Sequence, residues 1–150
     1  SNVHPMRIES EIDARLKRLA GKFDCVLVDA PCSGLGTLRR NPDLKWRQSE
    51  KDVAELSAKQ ASILAAAAKL TRPGGRLIYA TCSLLDEENE AVVSAFLAAH
   101  DDFVCLPAYG ILHEQGIRLE GLDDEGNAHL RLWPHRHGTD GFFAAVMERR

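Results

Sequence analysis

Two short segments of this chain hold residue types that could do chemistry. Cys32 follows Asp29-Ala30-Pro31, Cys82 follows Thr81, and each cysteine is followed by a serine. A thiolate is a strong nucleophile, and a loop near helix N-termini depresses a thiol pKa. Cys32 and Cys82 therefore read either as a reactive pair or as small buried hydrophobes, and the residues alone leave both open. Asp29 divides the same way, between a working carboxylate and a turn residue. Cys25 and Cys105 lie inside apolar runs and read as core.

Other thiol chemistries fit poorly. A cysteine phosphatase needs five residues between cysteine and arginine, whereas six separate Cys32 from Arg39. A thiol hydrolase needs a histidine beside the nucleophile; His113, His129, His135 and His137 are available, but nothing in the pattern positions one. The chain has no G-x-S-x-G elbow, no G-x-G-x-x-G and no P-loop, and Gly34 and Gly36 alone are weak evidence for a phosphate cradle. No C-x-x-C pair points to zinc, and His135-Arg136-His137 reads as a solvated basic loop rather than a metal site. Trp46 and Trp133 read as packing residues rather than base-stacking platforms.

The elements that must position these residues can be read from periodicity. Ser10 opens an expected helix with Asp13 as capping partner; Ile12, Leu16 and Leu19 share a face and Gly21 stops it. Cys25–Val28 is a continuous apolar run, which predicts a strand buried on both faces. Ser49 begins a long helix whose inward stripe is Val53, Leu56, Gln60, Ile63, Leu64, Ala67 and Leu70, ended by Pro73-Gly74-Gly75. Leu77–Ala80 is the next buried strand. Asp86 caps a third helix with Glu87 and Glu88 in its first turn and Val92, Val93, Phe96 and Leu97 on its buried face. Phe103–Leu106 reads as a strand, residues 117–119 and 130–132 as a hairpin around 121–127, and Phe142–Met147 as a final strand. This alternation predicts an α/β sheet with right-handed crossovers, in which ligands bind at the carboxyl ends of the strands. Asp29–Cys32 and Thr81–Ser83 each follow a parallel strand, so they should lie side by side.

With 150 residues, 45% hydrophobic and 27% charged, the chain can bury one domain's core. No apolar run approaches the ~18 residues of a membrane span. Irregularly spaced cysteines argue against a disulfide framework and for a reducing cytoplasm. A net charge of −3 gives no bulk attraction to nucleic acid, so such a partner must be held by a local patch.

Asp29-Ala30-Pro31-Cys32-Ser33-Gly34 and Ala80-Thr81-Cys82-Ser83 together resemble the two signature motifs of RNA cytosine-5 methyltransferases, nearest to the bacterial enzymes that act on small-subunit ribosomal RNA. Gly36–Asp43, Lys45-Trp46, Gln60–Leu64, Arg72–Gly75, Glu87–Glu90 and Thr139–Phe143 also match. The resemblance covers roughly residues 3–148 and implies the C-terminal portion of a Rossmann-like methyltransferase sheet, mostly parallel with a terminal antiparallel strand. It implies S-adenosylmethionine as cofactor and ribosomal RNA as partner, with no metal and no membrane. On matching positions it implies that Cys82 attacks carbon 6 of the target cytosine. Cys32 then assists proton loss from carbon 5 and product release, and Asp29 contacts the base and, with Pro31, lies at the cofactor. Arg39, Arg40, Lys45 and Arg47, a basic cluster in an otherwise acidic chain, are the expected RNA contacts.

The family's Gly-rich cofactor loop and the acidic residue after its second strand are not in these residues, and Val3–Glu9 is the expected remnant of its third strand. Residues 1–150 are therefore expected to be a partial catalytic domain, inactive alone, that self-associates through an exposed sheet edge. A noncatalytic remnant that binds RNA or protein is the competing expectation.

Overall fold

The computed structural model describes residues 2–119 and 128–150. Five strands form one sheet: β1 (Phe23–Asp29), β2 (Thr71–Thr81), β3 (Phe103–Leu106), β4 (Leu130–Leu132) and β5 (Phe142–Arg149). Their order is β1-β2-β5-β3, with β4 also against β5. β1 and β2 are parallel, and β5 is antiparallel to β2, β3 and β4. Four strands thus run one way, and the last strand of the sequence runs against them from inside the sheet.

Among the described residues six α-helices accompany the sheet: α1 (Ala14–Lys17), α2 (Leu44–Arg47), α3 (Glu50–Ala68), α4 (Glu90–Ala99), α5 (Ala108–Glu114) and α6 (Pro134–His137). The longest, α3, starts as the sequence predicts. Ser49 accepts from the Asp52 N–H and the Asp52 carboxylate accepts from the Ser49 N–H, a closed capping box that satisfies donors the helix cannot. From its inward stripe Leu64 and Ala67 reach the core, where they meet Leu77 and Tyr79 of β2, Phe143, Ala145 and Met147 of β5, and Val93 and Phe96 of α4. Leu64, Leu77, Tyr79 and Met147 are fully buried, each worth roughly 1.5–3 kcal/mol where the side chain is aliphatic.

Several expectations are corrected. The first helix is a single turn capped by Asp13, not Ser10, and Ile12 is 82% exposed. Val3–Glu9 forms no strand. Pro73-Gly74-Gly75 does not end α3, which stops at Ala68; it lies within β2, where the register to β1 shifts between Phe23 and Cys25. Gly74 adopts φ +72 there, a value other residues avoid. β1 is not buried on both faces: Val28 joins the core with Val26 against it, while Cys25 and Leu27, which alternate onto the opposite face, are exposed, Leu27 by 64%. The hairpin is half present. Leu130–Leu132 is a strand, but its partner is β5, residues 117–119 are irregular, and the turn falls outside the described residues. Asp86–Glu88 is a separate 3₁₀ turn before α4 rather than its first turn.

Candidate active site

Parallel register brings the two cysteine segments together. Asp29 pairs with Ala80, and the Ala30 N–H donates to the Ala80 carbonyl at 2.9 Å, so both chains leave the sheet at the same edge. Cys32 and Cys82 follow there, with their sulfurs 3.3 Å apart. Asp29, the last residue of β1, is exposed beside them. Pro31 is exposed, and its carbonyl accepts from Gln60 Nε2 of α3 at 2.8 Å.

Backbone contacts hold Cys82 from a second side. The Gly36 N–H donates to the Cys82 carbonyl at 2.8 Å, and the Gly141 N–H donates to the Gly36 carbonyl at 2.8 Å. A Cβ on Gly36 would lie 2.6 Å from the Cys82 carbonyl oxygen. Only glycine lets these three segments approach so closely.

Sequence reading missed the centre of this arrangement. Glu88 is fully buried. Its Oε1 accepts from the Ser33 N–H at 2.8 Å and from Gln60 Nε2 at 3.0 Å. Its Oε2 accepts from Ser33 Oγ at 2.5 Å and from Ser83 Oγ. The Glu88 carbonyl accepts from Tyr79 OH at 2.6 Å. The neighbouring Asn89, also buried, accepts from Thr81 Oγ1 at 2.6 Å and donates to the Ser83 carbonyl at 3.1 Å. A signal was present: Gln60 interrupts an apolar inward stripe, and a buried amide requires polar partners.

Burial disfavours the thiolate of Cys32. Burial, then the neighbouring Cys82 sulfur, pushes the Cys32 thiol up to about 12, while backbone groups of Gly34 and Cys82 pull less strongly the other way. Cys32 therefore keeps its proton near neutrality.

The remaining candidates are scattered. Among the described residues no histidine hydrogen-bonds Cys82; His129 Nδ1 lies 3.8 Å from the Cys105 sulfur instead. His135-Arg136-His137 forms α6 rather than a loop, with His137 Nδ1 accepting from the Trp133 N–H at 2.8 Å. No cluster of three potential metal ligands occurs among the described residues, and none of their helices is long and apolar enough to cross a membrane. Arg39 and Arg40 both pair with Asp140, and Arg39 donates to the Gly138 carbonyl. Arg47 pairs with Asp43 at 2.6 Å. Lys45 sits 4.9 Å from the Trp46 ring centre, and Trp46 is not a packing residue, being 81% exposed.

The family model for the 16S rRNA methyltransferase RsmB/F matches residues 2–148. Ribosomal RNA small subunit methyltransferase B of Klebsiella pneumoniae is 52% identical over 129 residues, 86% of this chain and 27% of that protein. The crystal structure of PH0851 superposes with a TM-score of 0.74 at 42% identity, over 87% of this chain and 27% of that one. NSun6 from Pyrococcus horikoshii, solved with SFG, gives 0.78 at 30% identity, over 99% of this chain and 35% of that one. The chain thus spans between 27% and 35% of the length of these relatives, and its sheet is part of their Rossmann-like methyltransferase fold. A match running through both cysteine loops and on to the inserted last strand leaves one conclusion: the chain belongs to the RsmB/F family of 16S rRNA methyltransferases.

Proposed function

We propose that a protein containing this chain transfers a methyl group to carbon 5 of a cytosine in ribosomal RNA through a covalent Cys82 adduct. The observation that carries this reading is the 3.3 Å approach of two sulfurs, one of which is held protonated, at the carboxyl edge of a parallel strand pair. Carbon 5 of cytosine is a poor nucleophile until carbon 6 is attacked, which is the task of an activated thiolate. Bond formation between Cys82 Sγ and carbon 6 moves the ring's double-bond electrons onto carbon 5, which takes the methyl group. Loss of the carbon 5 proton restores the double bond and expels the Cys82 thiolate. Cys32 takes up the carbon 5 proton as its own proton passes to the departing Cys82 sulfur, so it ends as the thiol it began. The target base must leave its stack to reach the pair.

Asp29 and Pro31 are the residues of this chain that would hold S-adenosylmethionine, and the exposed Asp29 carboxylate fits a cationic ligand. That cofactor supplies an electrophilic methyl group. NSun6, solved with the S-adenosylmethionine analogue SFG, supports the assignment. The 150 residues form a partial catalytic domain that binds RNA through Arg39, Arg40, Lys45 and Arg47 and does not turn over alone.

The test is adduct formation with 5-azacytosine RNA by a full-length protein that contains this chain. A covalent complex is expected from the wild type and none from Cys82→Ala, while Cys32→Ala should accumulate a trapped complex on ordinary cytosine RNA, where the wild type releases its product. Normal turnover by Cys82→Ala would remove the assignment. Absence of any adduct, with RNA still bound, would favour a noncatalytic binding role.

A further inference from the structure

We infer that Glu88 is a positioning residue that sets the spacing of Cys32 and Cys82. The inference rests on the two-cysteine chemistry proposed above and adds the device that holds the pair. Each cysteine is followed by a serine, and both serine hydroxyls donate to the same carboxylate oxygen, Glu88 Oε2. The Ser33 N–H donates to the other oxygen, Oε1, at 2.8 Å. The two hydroxyls also lie 3.3 Å apart. The two loops, fifty positions apart in sequence, are thus fastened to one rigid group a single residue behind each sulfur.

The carboxylate is itself fixed. Gln60 Nε2 of α3 donates to Oε1 at 3.0 Å and to the Pro31 carbonyl at 2.8 Å, so the helix capped by Ser49 is the frame against which the clamp is set. Tyr79 of β2 holds the backbone of the same residue. Four donors converge on two oxygens in a site with no exposure. That demands an acceptor-only group, and a buried network of this kind is rigid only while every member is satisfied. Glutamine has the same shape, but its amide nitrogen is a donor facing hydroxyls that already donate. Glu88→Gln therefore keeps the volume and removes the convergence.

Cooperative positioning makes two readouts change together. With Glu88→Gln in a full-length protein, the rate of adduct formation with 5-azacytosine RNA should fall at least about tenfold, since small misplacements of reacting groups carry large rate penalties. The KM for RNA should stay unchanged. In a Cys25→Ser, Cys105→Ala background, the balance of oxidised to reduced glutathione that closes a Cys32–Cys82 disulfide should also shift at least about tenfold toward the oxidised side. A merely structural role would lower the melting temperature and leave both folded-state readouts in place. Wild-type adduct rates in a folded Glu88→Gln variant overturn the proposal, as does an unshifted glutathione midpoint. If the wild type forms no adduct, the cytosine chemistry fails, and the glutathione midpoint still decides whether Glu88 sets the thiol spacing.

Discussion

The sulfur of Cys32 lies 3.3 Å from that of Cys82, in surroundings that disfavour its thiolate. Burial is the main reason the Cys32 thiol rises from its ordinary 9.0 to about 12, as a desolvated thiolate is costly. Its folded pKa lies above its unfolded value, so the folded protein binds this proton more tightly. The stabilisation it gives is complete below the ordinary thiol range and is lost as pH climbs from 9.0 towards 12. At about pH 8, iodoacetamide should alkylate the exposed Cys25 much faster than Cys32, because only the thiolate reacts. Peptide mass spectrometry over time measures both, and equal rates would show that Cys32 is not held as a thiol. At this scale the sequence revealed Cys32, Cys82 and Asp29, whose place after apolar strands dictates their meeting. It concealed Glu88, which resembles a helix-start acid, since its partners Ser33 and Gln60 lie 55 and 28 positions away and no local pattern records them.

Short elements carry the rest of the proposed RNA surface. The single turn of α2 presents Lys45, Trp46 and Arg47, and Gln48 just after it donates to the Ser33 carbonyl at 3.3 Å, which links this turn to the Cys32 loop. Arg39 and Arg40 are engaged by Asp140, so phosphate would have to compete with an exposed ion pair, itself worth little. Removing two of the four charges, as in Lys45→Ala with Arg47→Ala, should reduce the slope of log binding constant against log salt by about one unit per lost phosphate contact. Quenching of the exposed Trp46 gives a convenient titration signal, and an unchanged slope excludes the patch. Element legibility followed the same division as at the residue scale. α3, opened by Ser49 and marked by its long stripe, is plain in the sequence, as are the strands flanking the cysteines; its Ser49–Asp52 capping box is seen only in the structure. The burial of β1 was misread because Cys25–Val28 is apolar whether or not a neighbour covers it. The partner of Leu130–Leu132 was misread because β5 arrives from later in the chain, where a local hairpin pattern cannot anticipate it.

At the scale of the molecule, the consequence lies along β1. Among the described residues β1 pairs with no strand on its other side; exposed Phe23 and Leu27 lie along it, next to a groove lined by Ile8, Leu16, Val26, Leu27 and Ile63. Natural proteins cover or charge such edges because they template pairing with another chain. Residues 2–9 form no strand along it, so in a preparation of these 150 residues alone a second copy is the expected occupant, either edge to edge or by exchange of the segment preceding β1. Asp29 and Pro31 are expected to be only part of the cofactor's contacts, since the chain spans between 27% and 35% of its relatives' length. The 150-residue chain should therefore scatter light as a concentration-dependent dimer or larger species and give little heat on titration with S-adenosylmethionine. Replacing Leu27 with lysine places a charge on the exposed edge without touching the core and should shift the scattering towards monomer. A monomer at all concentrations that binds the cofactor in the micromolar range would mean that the β1 edge is closed in solution and that these residues suffice for the site.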